Sequence, residues 1–468
     1  MRFKGSWVVI LLILISFSAN SQEQHSGDST KIREVFIVGN NKTKASIILR
    51  EMILLKGRSF PDSVIEKLLE EDQMRIYNTN LFDEVKVQSL KAGNQEIVVM
   101  VEVNERWYIY PGIIFQLADR NFNDWWVNQN HDLSRVNFGL KYQQYNFRGR
   151  RERLNLLFQL GFERGFMAFW RIPYIEKSQK HGLSFNYSYN ESRNAGFRTE
   201  NHVRQFVEAE RLLRKSTEGR VTYTFRNSYY NSHSFQVEYQ HRTIDDTVAL
   251  LNPNYFRDGA TAQSNFNLRY RFVRDRRNNV NYPTNGHYLL LEAKKIGIGV
   301  FNEVDMLSIS GSYSKYWDLG KNTSFAANFI GLASWPENQP YDKYFGLGRG
   351  QVLVRGYEQD LIEGHKYILY KSTLRKRLFK VTQDVSPVVP FKQFQKVPIA
   401  IYCKLFFDAG YVENYPQYEI SNRLSNNLLY GLGAGFDLVT IYDLTTRFEW
   451  AFNAESQVRF ALNARVEF

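Results

Sequence analysis

From Arg106 onward the chain alternates apolar and polar residues with a period of two, in stretches of about ten residues separated by turns or polar loops. Leu154, Leu156, Phe158 and Leu160 share one parity, as do Leu183, Phe185, Tyr187 and Tyr189. Phe235, Val237 and Tyr239 repeat the pattern, followed by Phe266, Leu268, Tyr270 and Phe272. The other parity holds Asn155, Gln159, Asn186, Gln236, Glu238, Asn267, Arg269 and Arg271. Successive side chains of a strand point to opposite faces, so these segments build a sheet that is apolar on one side and polar on the other. A soluble sandwich gives the same alternation, but with seven to nine strands in roughly 100 residues. Here it continues to Phe468, for about sixteen strands, roughly eleven before Trp335 and five after His365. The stretch Thr199–Leu213 reads as a loop extension, and no helix is expected after Arg106. Lipid outside and water inside impose this alternation on a closed membrane barrel, which leaves no backbone group unpaired in lipid.

Composition agrees with that reading. The 35 Phe, 29 Tyr and 8 Trp suit a barrel's aromatic girdles. The mean hydropathy of −0.43 excludes a bundle of membrane helices, which needs apolar runs of about 20 residues. One apolar run stands out, Trp7–Ile15, preceded by Arg2 and Lys4 and followed by Ser16, Ser18 and Ala19. It reads as a secretory signal peptide over 1–21, cleaved before Gln22 and followed by a flexible polar tail over 22–30. The single cysteine, Cys403, excludes an internal disulfide and argues against a thiolate metal site. The formal charge of +12 fits anionic lipid headgroups or a charged lumen better than nucleic acid, given export.

Residues 31–105 carry a different pattern. Ile32–Val38 reads as a strand ending at Gly39-Asn40-Asn41, and Thr43 as the N-cap of a helix bearing Ile47, Ile48 and Leu55. Gly57 ends it, and Asp62 caps a second helix with Ile65, Leu68, Leu69 and Ile76 on one face. Two strands follow, Phe82–Val87 and Ile97–Val103. The Gly39-Asn40 turn, Gly57, the Leu81-Phe82-x-x-Val85 strand entry and the closing Val101-Glu102-Val103 together resemble a polypeptide-transport-associated (POTRA) domain. The expected fold is thus one small β-α-α-β-β domain over 31–105, then an all-β transmembrane barrel over 106–468.

Three further segments carry a second resemblance. Val354-Arg355-Gly356-Tyr357, in the long interruption Pro336–Gly364, resembles the loop tip of the outer-membrane insertase superfamily. That superfamily holds BamA-like assembly proteins, surface-antigen barrels and two-partner secretion translocators. Phe406, Asp408 and Gly410 match its Phe-x-Asp-x-Gly wall motif. Asp275, Arg277, Asn278, Pro283 and Gly286 resemble its Asp-x-Arg-Asn…Pro-x-x-Gly turn, for which only a connecting role is expected. The resemblance implies that the loop enters the lumen and that its Arg meets acidic wall residues. Parity gives an independent reason to choose Asp408: Ile399, Ile401, Cys403, Leu405 and Phe407 form the apolar face, so Ala400, Lys404 and Asp408 face inward. An Arg355–Asp408 ion pair is the expectation, with Glu449 a second acceptor, opposite in parity to Phe448, Trp450 and Phe452.

The last strand is unusually regular. Val458, Phe460, Leu462, Ala464, Val466 and Phe468 share one face, and ending on an aromatic resembles the signal by which outer-membrane barrels are recognised for assembly. Catalytic patterns are absent: the eight His have no ligand spacing, and no nucleophile elbow or phosphate loop is present. The chain is therefore not expected to be an enzyme or to hold a cofactor or metal. The resemblance implies a barrel in the bacterial outer membrane with its POTRA domain in the periplasm. Its partners would be unfolded outer-membrane or secreted polypeptides, outer-membrane lipid, and accessory periplasmic or lipoprotein subunits. Insertion of client barrels is the leading expectation, and secretion of a partner polypeptide or a passive pore are the alternatives. One POTRA segment stands where the main assembly insertase has several, which weighs against docking of accessory lipoproteins.

Overall fold

The computed structural model describes residues 29–117, 133, 136–301, 304–348, 352–387, 389, 392–417, 423–440 and 444–465. The expected signal peptide, Val466 and Phe468 lie outside these residues.

The first domain comprises β1 (Ser29–Val38), α1 (Ala45–Leu49), β2 (Ser59–Pro61), α2 (Asp62–Tyr77), β3 (Phe82–Gly93) and β4 (Glu96–Glu105), with sheet order β2-β1-β4-β3. Alternation fixes its core: Ile97, Val99, Val101 and Val103 of β4 are buried, with Ile47, Ile48 and Ile76 of the helices in the same cluster. Gly39 has φ +93°, and a Cβ there would lie 1.9 Å from the Val103 carbonyl oxygen, so the turn admits no other residue without rearrangement. Three expectations need correction. β2 is an added strand, too short at three residues to leave a pattern. α1 stops at Leu49, short of Leu55, and Thr43 does not cap it. The Thr43 hydroxyl instead donates to Glu105 Oε1 at 2.6 Å. Asp62 is the first residue of α2 rather than its cap, and its carboxylate accepts from Thr30.

The barrel is one sheet of sixteen antiparallel strands. Its first half holds β5 (Ile109–Leu117), β6 (Val136–Phe147), β7 (Glu152–Gly161), β8 (Glu163–Ile172) and β9 (His181–Ser192). The hairpin β10 (Asn194–Glu200) and β11 (Val203–Glu208) stands outside the sheet, as a loop extension. β12 (Arg214–Phe225), β13 (Asn231–Ile244), β14 (Ala262–Asp275), β15 (Gly286–Ile296), β16 (Met306–Gly320) and β17 (Thr323–Trp335) continue it. After the hairpin β18 (Gly346–Leu347) and β19 (Ile362–Glu363) come β20 (Lys366–Asp384), β21 (Lys396–Glu413), β22 (Leu429–Val439), β23 (Thr445–Asn453) and β24 (Val458–Arg465). Leu156, Phe158, Phe235, Val237, Leu405 and Phe407 are exposed on the outer face, while Asn155, Glu238, Asn267 and Asp408 are buried on the inner one. Among the described residues one α-helix, α3 (Asp246–Leu251), and two short 3-10 turns interrupt the expected helix-free region. α3 has six residues, under two turns, so no helical period was visible, although Asp245 caps it by accepting from the Thr247 amide.

The POTRA-like domain docks on the barrel turns at one end. The Lys44 amide donates to the Gly149 carbonyl at 3.0 Å, and Asn78 and Asn80 bond to the β14–β15 turn at Asn278, Val280 and Asn281. Glu51 is the centre of this contact. Arg226 of the β12–β13 turn grips it with two hydrogen bonds of 2.9 and 2.8 Å, and Arg151 and Arg50 flank it at 3.4 and 3.0 Å. Burial alone would raise the Glu51 carboxyl; the charge of Arg226, with Arg151 and Arg50, outweighs it and holds the pKa at about 2. Beneath lies a cavity of about 660 Å³ whose lining includes ten arginines and one lysine but three carboxylates.

A carboxylate whose folded pKa lies below its ordinary 4.5 contributes stability that is complete above that value and lost as pH falls through about 2. Amide protection of residues 78–80 is therefore expected to hold down to about pH 4.5 and then decline with acid. In Glu51→Gln the same amides should exchange faster already at neutral pH, because three arginines lose their shared anion. Hydrogen exchange that is unchanged in the variant would contradict this.

Candidate functional site

The site is built where the longest loop meets β20 to β23. β21 sets the frame: with Leu405 and Phe407 exposed outward, Lys404, Phe406 and Asp408 are buried on the inner face. The 336–365 loop folds into this lumen as the β18–β19 hairpin. Val354 and Tyr357, each 1% exposed, pack with Leu347, Ile362, Leu369, Val412, Leu424 and Leu429. These apolar contacts leave the Arg355 side chain directed at the wall.

Arg355 bonds to two carboxylates and stacks on a ring. Its Nε donates to Asp408 Oδ2 at 2.9 Å and a terminal nitrogen to Oδ1 at 2.5 Å, the parallel geometry that a guanidinium fork offers a carboxylate. Its backbone amide donates to the same carboxylate at 3.0 Å. The other terminal nitrogen reaches Glu449 Oε1 at 3.3 Å, and the guanidinium lies 3.9 Å from the centroid of the Phe406 ring. Asp408 is fully buried and also faces Lys371 Nζ at 3.4 Å. Glu449 in turn meets Lys404 at 2.8 Å, and Lys404 pairs with Asp437. Each charge of this network thus has at least one opposite partner, the condition under which burial of ions is tolerated.

Two parts of this site carried no sequence assignment. The inner face of β22 carries Gly431, Gly433 and Gly435 in succession. A Cβ at Gly431 would lie 1.9 Å from the Arg355 carbonyl oxygen, and one at Gly410 of the wall motif 2.8 Å from Val354 Cγ2. Glycine at alternate strand positions signals close backbone approach, and the Gly-Leu-Gly-Ala-Gly run was the available clue. Asn453 of β23 is the other part, with its side-chain amide donating to the Gly356 carbonyl at 2.9 Å.

The β14–β15 turn does more than connect. Arg277 forms a two-bond pair with Asp275, and Gly286 has φ +103° under the Arg276 carbonyl. Between them Tyr282 is buried and its hydroxyl donates to Asp437 on β22 at 2.8 Å. Arg375 of β20 donates to the Pro283 carbonyl at 2.5 Å. The turn therefore links the POTRA-like domain to β20 and β22. In the last strand Phe460 and Leu462 are exposed outward. Its Arg459 meets Asp360 of the lumen loop at 2.6 Å. Removing Arg355 leaves Asp408 with Lys371 alone, so Arg355→Ala should cost about 3 kcal/mol, at the low end for a broken buried pair. Heat-modifiable gel migration should shift to lower temperature while the N-terminal domain stays folded. Gly431→Ala should give a similar loss by displacing the loop backbone, and unchanged migration in both variants would count against the anchor.

Comparison with known proteins agrees with this geometry. Residues 146–463 match the model of the Omp85 superfamily domain, and residues 30–106 match the surface antigen variable number repeat, a POTRA repeat. A segment of 76 residues is 34% identical to the outer membrane protein assembly factor BamA of Neorickettsia risticii (strain Illinois), covering 16% of this chain and 10% of that protein. The chain also superposes on BamA from Haemophilus ducreyi lacking POTRA domains 1–3, with TM-score 0.50 and 16% identity over 93% of this chain and 85% of that one. For CdiB from Escherichia coli the TM-score is 0.53 and the identity 12%, over 93% and 75%. At such identities the likeness concerns the fold. The family model spans more than half of the sequence, and the protein belongs to the Omp85 superfamily, as an outer-membrane β-barrel preceded by a POTRA domain.

Proposed function

We propose that the protein assembles other β-barrels into the outer membrane, its POTRA domain on the periplasmic side and its first and last strands forming a working seam. The observation that carries this reading is that β5 and β24 are the two terminal strands of the sheet. Among the described residues the ladder runs from β24 to β5, and no pairing joins those two strands. Unpaired backbone groups facing lipid cost several kcal/mol each, so a client strand that pairs with either edge is strongly favoured. The POTRA sheet supplies a second template. β3 pairs on one side with β4 and is an edge strand, and β1 beyond Lys31 pairs with β4 alone. Exposed Phe36 and Val38 at that edge suit capture of an extended apolar segment by strand addition.

Secretion of a partner polypeptide through the lumen is the competing reading. The loop held by Arg355 and Asp408 fills part of that lumen, which favours lateral insertion over threading. Arg459 links the loop to β24, so the loop is in position to hold the seam strand during exchange.

Cysteine pairs placed across the β5–β24 seam, in a Cys403→Ser background, are expected to stop client assembly when oxidised and to restore it on reduction. Depletion should then lower many outer-membrane barrels together. Loss of a single secreted protein, with a locked seam that leaves assembly intact, would overturn the insertion reading in favour of secretion.

A further inference from the structure

At the barrel end away from the POTRA domain, three residues distant in sequence converge. Glu337 follows β17, His365 precedes β20 and Glu413 closes β21. These strands are neighbours, with Ala333 opposite Lys366 and Lys366 opposite Glu413, so the three side chains meet at one rim. His365 Nε2 stands 3.6 Å from Glu337 Oε1 and 3.4 Å from Glu413 Oε1, and one ligand atom from each residue lies within 4.8 Å of the others.

His365 decides what this cluster can hold. Its side chain is 2% exposed, and its Nδ1 lies 3.0 Å from the Asn414 carbonyl oxygen. A carbonyl only accepts, so Nδ1 carries a proton and Nε2 is the ring nitrogen that faces the cluster. Nε2 is buried without a hydrogen-bond partner and faces two carboxylates, which when ionised are also acceptors. One ring nitrogen and two carboxylate oxygens around one point make a donor set suited to a cation. Metal-ligating histidines bond their second nitrogen to a carbonyl or carboxylate in this way. Tetrahedral zinc, with bonds near 2.0–2.1 Å, sets its ligand atoms about 3.3 Å apart. The observed separations of 3.4 and 3.6 Å need little adjustment.

We propose that Glu337, His365 and Glu413 form a divalent-cation site of the zinc class, with His365 Nε2, one oxygen from each glutamate and water as ligands. A single imidazole with two carboxylates suits zinc better than calcium, which takes six to eight oxygens. Lys366 is the resident competitor, its Nζ 3.0 Å from Glu413 Oε1 and 3.8 Å from Glu337 Oε1. It is one-third exposed on a four-carbon stem and can turn to solvent. Glu337 and His365 lie at the two ends of the loop that carries Arg355. A bound ion therefore clasps both ends of that loop to β21.

The test is calorimetric titration of untagged, chelator-treated full-length protein in detergent micelles with zinc chloride. One zinc per chain is expected, with His365→Ala and Glu337→Gln each weakening binding roughly tenfold or more. Lys366→Ala should strengthen it, and cobalt(II) should give a visible tetrahedral absorption band that His365→Ala loses. Heat-modifiable migration shows which variants are folded, and Glu337 is exposed enough for its variant to serve if His365→Ala does not fold. Absence of zinc binding in the parent protein, or equal binding in folded variants, would overturn the site.

Discussion

A buried arginine inside a membrane barrel is stable only if something holds its charge, and much of this structure is arranged to meet that requirement. Arg355 is met by Asp408 along its fork, by Glu449 beyond and by the Phe406 ring above. Lys371 and Lys404 then balance the surplus negative charge, and Asp437 with Tyr282 extends the chain to the barrel mouth. Desolvation makes each of these ions costly alone, so the set behaves as one unit. Its geometry requires Gly431 on β22, where the loop backbone lies against the wall, and favours Gly410 on β21, where the Val354 side chain packs.

The same logic operates at the POTRA junction with the signs reversed. There Glu51 is the buried anion and three arginines converge on it. The cavity beneath keeps a strong excess of basic side chains. The two networks approach each other through the β14–β15 turn, which bonds to Asn78 and Asn80 on one side and to Asp437 and Arg375 on the other. A physical path of packed and hydrogen-bonded groups thus connects the POTRA domain, the barrel mouth and the lumen loop. From the loop it continues through Asp360 to Arg459 on the last strand.

Much of the architecture was legible in the chain because strand parity is a local property. Lipid on one face and water on the other force a period of two, and that period gave the sixteen strands and the inward direction of Asp408. The POTRA segment was legible for a similar reason, its helices and strands each being long enough to show a period. The three-residue β2 and six-residue α3 were not, since neither completes enough of a repeat to stand out. The turn carrying Asp275 and Gly286 read as a connector because nothing near it in sequence revealed Tyr282's partner, 155 residues away.

Local pattern and motif were enough to read a barrel behind a POTRA domain, and which faces of its strands meet lipid. The sequence also singled out Arg355, Asp408 and Glu449, through motif and parity. The folded structure alone added Lys371 and Asp437 to that network, shaped its floor with Gly431 and Asn453, and joined the two domains through Glu51. It alone brought His365 between Glu337 and Glu413. The reason is physical: parity follows from the backbone of one strand, whereas charge pairing and close approach depend on which strands the folded sheet makes neighbours.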